Sequence, residues 1–204
     1  MFWMRVSILS LLFSLFISLA FAQTFPCDGR LILSTKRNNT SLFRIGFGPF
    51  GLIYYNPVTV YLNEGFDALG FNPKDNYIYA VQENTNSIVR LRSNGTYEVI
   101  GAAPLVSTLN AFAGDCSPEG LYLCHDNELD QILVFDVVNN FELVNQLDLF
   151  WDPASQNSGA FTTRIEDFAI DPNNPTIAYA FQGDYLDDEL EPDDTRGYLL
   201  RINL

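Results

Sequence analysis

The densest group of side chains able to bind a cation is an acidic run, residues 184–194. It holds seven carboxylates in eleven residues, among them Asp184, Asp187 and Asp188. Calcium takes about six to eight oxygen ligands from flexible loops, so these aspartates are candidate calcium ligands. The run lacks the Asp-x-Asp-x-Asp-Gly spacing of a dedicated calcium loop, and a run of like charges is more often a solvated, self-repelling loop. Calcium therefore stays an alternative, and no other cofactor is predicted.

Three further aspartates, Asp67, Asp115 and Asp167, form a second candidate group. Each precedes a proline in a segment that reads as a strand followed by a turn. Carboxylates from neighbouring strands that converge on one point can bind a catalytic metal ion. The three aspartates do not stand at equivalent positions, being six, three and five residues before their prolines. The favoured interpretation is structural, with carboxylates accepting hydrogen bonds from amides at turns and strand ends.

The single histidine, His125, excludes sites that need two imidazoles, such as His-rich zinc sites and histidine relays. It directly follows Cys124, but neighbours in a strand point to opposite faces, so a thiol–imidazole pair is not predicted. No arrangement of Ser, His and an acid emerges from the sequence. We therefore assign no catalytic residue.

The three cysteines are Cys27, Cys116 and Cys124. Residues 117–120 predict a tight turn that places Cys116 opposite Leu121. Cys124 would then lie on the other face of the pleat, so a bridge within this hairpin is disfavoured. In an oxidising compartment, we expect Cys27 to pair with either Cys116 or Cys124.

These candidate groups lie in a chain that repeats itself. Three segments align on a proline and read as a small-and-apolar strand, a polar turn and an aromatic-rich strand: residues 67–79, 112–124 and 166–179. The proline fits the second position of a type I turn. The residues before the prolines can bond the turn amides through their side chains: Asn72, Ser117 and Asp171.

A second element follows each of these segments and also occurs once before them. Its four copies are residues 42–45, 88–91, 132–135 and 199–202. After two copies, turns at residues 93–95 and 138–140 lead into a further apolar stretch, which indicates hairpins. Four strands in about 45 residues are typical of a β-propeller blade. The sequence therefore predicts an all-β fold, a propeller-like array of about four antiparallel sheet units.

The N-terminus predicts export. Residues 1–22 have the order of a signal peptide, with Arg5, an apolar run over residues 6–21 and a cleavage position after Ala22. The run is shorter than the roughly 20 residues that span a bilayer, so no membrane span is expected after cleavage. Residues 23–204 then form one repeat domain, secreted or at the cell surface. With 11 basic and 25 acidic residues, the net charge of −14 disfavours nucleic-acid binding.

Several motifs carry a resemblance to a family. They are Cys27-Asp28-Gly29, Leu31-Ile-Leu-Ser34, Ser41-Leu-Phe-Arg-Ile45, Ala68-Leu-Gly-Phe-Asn-Pro73 and Asn76-Tyr-Ile-Tyr79. The chain resembles an uncharacterised secreted family of propeller-like domains in bacterial surface proteins. The resemblance implies export and attachment beside adhesive modules, and it supplies no catalytic residues. Because a propeller closes its ring, either the N-terminal strands complete the last blade or the ring is incomplete and the chain is part of a larger domain.

Three functions follow as alternatives. The leading prediction is a secreted, non-catalytic module that binds surface proteins or glycans through its loops. The second is a calcium-dependent propeller hydrolase of the lactonase sort, and the third is a fragment of a larger propeller protein with no separate activity. Three or four carboxylates or amides converging on one point favour the hydrolase, whereas aspartates held by turn amides favour the binding module.

Overall fold

The chain forms antiparallel sheets throughout the part that the computed structural model describes. This part comprises residues 24–29, 31–36, 39–101, 111, 113–127, 129–139, 141–149, 165–183 and 197–204. It contains fourteen strands in four sheets and one short 3-10 helix, Pro49–Gly51. The predicted all-β array of four sheet units is confirmed. Among these residues, no helix has the length and apolar character needed to cross a membrane. The predicted signal peptide, residues 1–22, lies outside them.

The first two sheets differ by one strand. The first sheet has three strands in the order β1-β2-β3, and the second has four in the order β4-β5-β6-β7. Their bounds are β1 Ile32–Lys36, β2 Thr40–Phe47, β3 Ile53–Tyr61, β4 Phe66–Asn72, β5 Tyr77–Gln82, β6 Ser87–Leu91 and β7 Tyr97–Val99.

The third and fourth sheets differ in the same way. The third has the order β11-β10-β9-β8 and the fourth the order β12-β13-β14. Their bounds are β8 Gly114–Cys116, β9 Leu121–Asp126, β10 Gln131–Asp136, β11 Glu142–Asp148, β12 Ile165–Ile170, β13 Ile177–Gly183 and β14 Gly197–Asn203. The four copies of the second repeated element lie in β2, β6, β10 and β14, as the sequence predicts.

The predicted proline turns connect the first two strands of the second, third and fourth sheets. In all three, the side chain before the proline accepts a backbone N–H: Asn72 from Lys74 at 2.9 Å, Ser117 from Leu121 at 3.3 Å and Asp171 from Asn173 at 2.9 Å. The N–H of Gly120 also donates to the carbonyl of Ser117 at 2.9 Å, which closes the turn around Pro118. The proline turns are therefore confirmed.

The register of the hairpin β8–β9 differs from the prediction by one residue. Cys116 pairs with Tyr122 and Gly114 pairs with Cys124, so both cysteines face the same side of the sheet. The turn is closed by Ser117 and Leu121, which leaves Cys116 opposite Tyr122. The two cysteines are still offset by two residues, roughly 7 Å along the strands, which is too far for a bridge without backbone movement.

Successive sheets pack face to face through apolar clusters. The first and second sheets share Leu42, Tyr61 and Phe66, and Phe25 joins this cluster. The second and third share Tyr79, Tyr122 and Phe135 with their neighbours. The third and fourth share Ile132, Phe168 and Ala180. β4 contacts β8 and β8 contacts β12, so the first strands of three successive sheets lie side by side and are called the inner strands below.

Two glycines allow the inner strands to approach closely. A Cβ on Gly114 would lie 2.4 Å from the carbonyl oxygen of Ala68 on the neighbouring strand. A Cβ on Gly70 would lie 2.7 Å from backbone atoms of Asp115. Both distances are shorter than real side-chain carbons tolerate, so backbone-to-backbone packing of β4 on β8 requires glycine at these positions.

The ends of the array are open in the described residues. β1 pairs with β2, and β14 pairs with β13, and no pairing joins the first sheet to the fourth. In this part of the chain, the N-terminal strands therefore do not complete the last blade, which was the first of the two alternatives for ring closure.

Candidate functional site

The inner strands carry the three aspartates that the sequence singled out. Asp67 lies on β4, Asp115 on β8 and Asp167 on β12. Because these strands are neighbours, the fold brings the three residues to the same inner region. Asp115 stands on the middle strand, and its pKa is influenced by the charge of Asp167.

Asp115 connects two sheets through its carboxylate. One oxygen, Oδ1, accepts the N–H of Cys116 at 2.8 Å, and Oδ2 accepts the N–H of Ile170 on β12 at 2.9 Å. Burial raises the pKa of Asp115 to about 6, against the lowering effect of these two amides, and the nearby Asp167 raises it further. The predicted structural role of this aspartate, accepting amides at a strand end, matches this geometry.

Asp67 and Asp167 each stand beside an irregularity of their strand. The register of β4 on β5 shifts between Asp67 and Gly70, where Ala68 has a φ of 53°. The register of β12 on β13 shifts between Ile165 and Asp167. Such bulges redirect side chains and are frequent beside active sites. Here the carbonyl of Ala68 accepts the hydroxyl of Tyr122 at 2.6 Å, so the first irregularity also fixes the contact between the second and third sheets.

The protonation of Asp167 is also shifted. A substantial part of the residue is exposed. Desolvation of the carboxylate nevertheless raises its pKa, and the backbone amide of Phe168 lowers it. Asp115 and Asp167 are thus both easier to protonate than an ordinary aspartate, which is a feature of functional carboxylates and also of buried structural ones.

The described residues contain no cluster of carboxylate, thiol or imidazole groups that could hold a metal ion. Asp67, Asp115 and Asp167 therefore do not form the converging ligand set that the hydrolase alternative requires. The acidic candidates Asp184, Asp187 and Asp188 lie outside the described residues, so calcium binding by this run stays a prediction.

One end of the sheets gathers polar side chains that the sequence did not single out. We call it the loop end: here β4 begins, and β5 and β9 turn into β6 and β10. Gln82 Nε2 donates to Glu64 Oε2 at 2.8 Å and to the hydroxyl of Tyr97 at 3.1 Å, and that hydroxyl donates to Glu64 Oε1 at 3.0 Å. Desolvation and the bond to Glu64 raise the pKa of Tyr97. Residues this far apart in sequence show no common motif, which is why the pattern did not reveal them.

The loop end also contains the ends of the third and fourth sheets. His125 and Asp126, the last residues of β9, are both buried. Burial lowers the pKa of His125, although Asp130, Asn127 and Asp126 oppose this effect. In the fourth sheet, Gly183 pairs with Gly197 at the same end, on either side of the acidic run. The acidic run itself, residues 184–194, lies outside the described residues.

The cysteines form no bridge in the structure. All three are free, with Cys27 exposed and both Cys116 and Cys124 buried. The pairing of Cys27 with Cys116 or Cys124 is absent from this structure, and it stays a prediction for an oxidising compartment. Burial raises the pKa of the Cys124 thiol, so this cysteine stays protonated beside the buried His125.

Comparisons with known proteins agree with this architecture. A family model described as "Repeat of unknown function (DUF6923)" matches residues 32–170. No curated protein matches the sequence. A luciferin-regenerating enzyme has a similar structure, with a TM-score of 0.52 and 13% identity; the match covers 89% of this chain and 60% of that chain. A Bacteroides uniformis protein described as a 6-phosphogluconolactonase gives a TM-score of 0.50 and 11% identity over 89% of this chain and 71% of its own. At these identities the likeness concerns the fold alone.

Proposed function

Because the chain belongs to the DUF6923 family, a repeat of unknown function, we propose that it is a secreted, non-catalytic propeller module that binds surface proteins or glycans through its loop end. The main observation behind the proposal is the hydrogen bonding of Asp115, which lies on the middle one of the three inner strands. Both of its oxygens accept backbone amides, one of them from the next sheet. A carboxylate used in this way fixes neighbouring blades to each other and leaves recognition to the loops.

The loop end has the features of a recognition surface on a rigid support. The network of Glu64, Gln82 and Tyr97 joins three separate segments, and Thr85 in the β5–β6 turn donates to Gln82 Oε1 at 2.8 Å. Carboxylate, amide and phenol groups provide the donors and acceptors that bind sugar hydroxyls or polar protein surfaces.

A binding screen with matched variants tests the proposal. The full chain is titrated against a panel of surface oligosaccharides by array and calorimetry, and each hit is repeated with Glu64→Gln and Glu119→Gln. Glu119 is exposed in the proline turn at the opposite end of the third sheet. We expect E64Q to weaken binding and E119Q to leave it unchanged. If the two variants had equal effects, or if the unaltered chain bound no glycan, glycan recognition at the loop end would be ruled out.

The hydrolase is retained as a second candidate because of one observation. Asp115 has a pKa of about 6 and lies on the inner strand, where protonation near neutral pH suits acid–base chemistry. The two similar solved structures are described as enzymes, one of them as a lactonase. The test is hydrolysis of simple lactones by the full chain with millimolar calcium. Turnover that Asp115→Asn abolishes would establish the hydrolase, and no turnover above buffer supports the binding module.

Calcium binding by the acidic run has a separate test. The melting temperature of the chain is measured with millimolar calcium and, as a control, with millimolar magnesium. A rise with calcium that is lost in the double variant Asp187→Asn, Asp188→Asn would place the ion in this run. An unchanged melting temperature would dismiss calcium as a ligand there.

The third alternative, a piece of a larger propeller, is supported by the outer faces of the terminal sheets. Tyr55 on the first sheet and Phe181 on the fourth are large apolar side chains that are each more than half exposed. Cooperative urea unfolding of a soluble monomer of the full chain would argue against this alternative. Self-association or non-cooperative unfolding would support it.

A further inference from the structure

In the part of the chain that the structure describes, the first sheet has one strand fewer than the second, and the repeat identifies which one is missing. The Leu-Phe-Arg-Ile copy of the first sheet is in β2, and the matching copies are in β6 and β10, the third strands of four-stranded sheets. β2 is therefore a third strand, β1 a second strand and β3 a fourth. The missing strand is the inner one, which would pair with the free edge of β1. In the described residues, β1 pairs with β2 alone.

A cavity lies at the position of the missing strand. It has a volume of about 310 Å³ and lies between β1, the inner strand β4 and the segment that precedes β1, residues 26–29. Its lining is mainly apolar and includes Leu31, Ile32, Leu69 and Phe71, together with the exposed Cys27. The volume falls within the range of ligand pockets, about 300–1,000 Å³.

The cavity continues the interface between the first two sheets. Leu42 and Ile78 belong both to its lining and to the buried cluster that joins these sheets. Leu69 and Phe71 alternate along β4 with Ala68 and Gly70, which face the third sheet. The inner strand of the second sheet packs on that of the third, and the inner strand of the third packs on that of the fourth. By analogy, Leu69 and Phe71 would pack against an inner strand of the first sheet.

We propose that the free edge of β1 and this cavity bind an extended peptide strand with apolar residues at alternate positions, an inner strand from a further repeat of the same type. The backbone of that strand would pair with β1, and its side chains would fill the cavity against Leu69 and Phe71. This is β-strand addition, in which main-chain bonds give affinity and pockets for alternate side chains give specificity. The proposal is independent of ligand binding at the loop end.

Cys27 provides a built-in reporter for this site. It lines the cavity and is exposed, whereas Cys116 and Cys124 are buried with raised pKa values and react slowly. The probe is a synthetic peptide of residues 66–74, which is an inner strand with its proline turn. Its binding is measured by calorimetry and by the rate at which iodoacetamide alkylates Cys27, followed by mass spectrometry.

We expect the peptide to bind and to slow the alkylation of Cys27 several-fold. A scrambled peptide and a peptide methylated at alternate backbone amides should do neither, because the second cannot pair with an edge strand. Leu69→Asp, which places a charge in the cavity, should abolish the protection. Leu33→Asp, on the opposite face of β1, should leave it intact.

Several results would overturn the proposal. Equal binding of the methylated peptide would show an apolar pocket without strand addition. Protection by self-association of the chain, detected by sedimentation, would assign the edge to a second copy. If L69D fails to fold by circular dichroism, the comparison of the plain and methylated peptides on the unaltered chain decides the question alone, and absence of binding by both rejects it.

Discussion

The two central sheets and the two terminal sheets are built from the same repeat but reach different degrees of burial. β5 and β9, the second strands of the central sheets, are buried on both faces over most of their length. β13 holds the same position in the fourth sheet, and there Ala178 and Ala180 are buried while Tyr179 and Phe181 are exposed. The difference follows from the neighbours: among the described residues, a central sheet has a sheet on each side and a terminal sheet has one.

This comparison shows what the sequence of the terminal strands encodes. A strand with one wet face normally alternates apolar and polar residues, whereas a strand buried on both faces is apolar throughout. The run Ala178, Tyr179, Ala180, Phe181 is of the second kind. The second strand of the fourth sheet therefore has the composition of a central strand, and its exposed face has the character of an interaction surface.

The largest expected effect comes from equal substitutions in the two regions. Phe135→Ala removes a ring that is 0% exposed in the third sheet, whereas Phe181→Ala removes one that is 51% exposed in the fourth. We expect F135A to lower the free energy of unfolding by about 3–5 kcal/mol and F181A by less than about 1 kcal/mol, measured by urea denaturation. A cost for F181A as large as that for F135A would show that the terminal face is covered in solution.

A smaller effect should follow from crowding the inner strands. Gly114→Ala places a Cβ 2.4 Å from the carbonyl oxygen of Ala68, so β4 and β8 must move apart. We expect a loss of about 1–3 kcal/mol in unfolding free energy. The control is Gly48→Ala, between β2 and the 3-10 helix, where the nearest atom is 3.6 Å away and we expect almost no change. Equal stability of the two variants would contradict the close packing of the inner strands.

The sequence revealed turns and single strands better than contacts between distant segments. The proline turns and the four repeated strands follow from local patterns, because Pro73, Pro118 and Pro172 determine their own turns. The cavity beside β1 depends on which strands pair in the first sheet. A local sequence pattern indicates a strand but does not show which strand lies next to it. The network of Glu64, Gln82 and Tyr97 was not predicted for a similar reason, because it joins three segments that only the fold brings together.

The register of β8 on β9 shows how a shift of one residue changes which side chains share a face of the sheet. The sequence placed the turn correctly but paired Cys116 with Leu121, and the structure pairs it with Tyr122. A shift of one residue moves every side chain to the opposite face. Cys116 and Cys124 consequently lie in the same cluster, on either side of Tyr122, between the second and third sheets.

A third prediction concerns Asp115, whose carboxylate joins the third sheet to the fourth through the N–H of Ile170. The folded state holds a proton on Asp115 up to about pH 6, whereas an unfolded aspartate releases it near pH 3.9. Relative to Asp115→Asn, the stability of the unaltered chain should be highest below about pH 4. It should fall by about 1–2 kcal/mol as the pH rises to about 6, once solvent screening is allowed for, and stay level above that. Urea unfolding of both proteins from pH 3.5 to 7.5 measures the difference, and a difference that does not change with pH would contradict the raised pKa.

The smallest effect is expected from an exposed ion pair at the outer edge of a central sheet. Glu98 on β7 accepts from Arg90 at 2.7 Å and from Arg92 at 2.6 Å, and the guanidinium of Arg90 also lies 4.6 Å from the centre of the Tyr77 ring. The bond from Arg90 lowers the pKa of Glu98, so its contribution is present above the pKa of an ordinary glutamate and is lost in acid.

Glu98→Gln should therefore cost about 0.5 kcal/mol at neutral pH and low salt, and the cost should shrink in molar sodium chloride, because both partners are partly exposed. The measurement is urea unfolding at low and high salt. A cost above about 2 kcal/mol, or one that salt does not reduce, would mean that the outer edge strand β7 depends on this pair. The central sheets would then owe their stability to edge contacts as well as to neighbours on both faces, and the contrast with the terminal sheets would weaken.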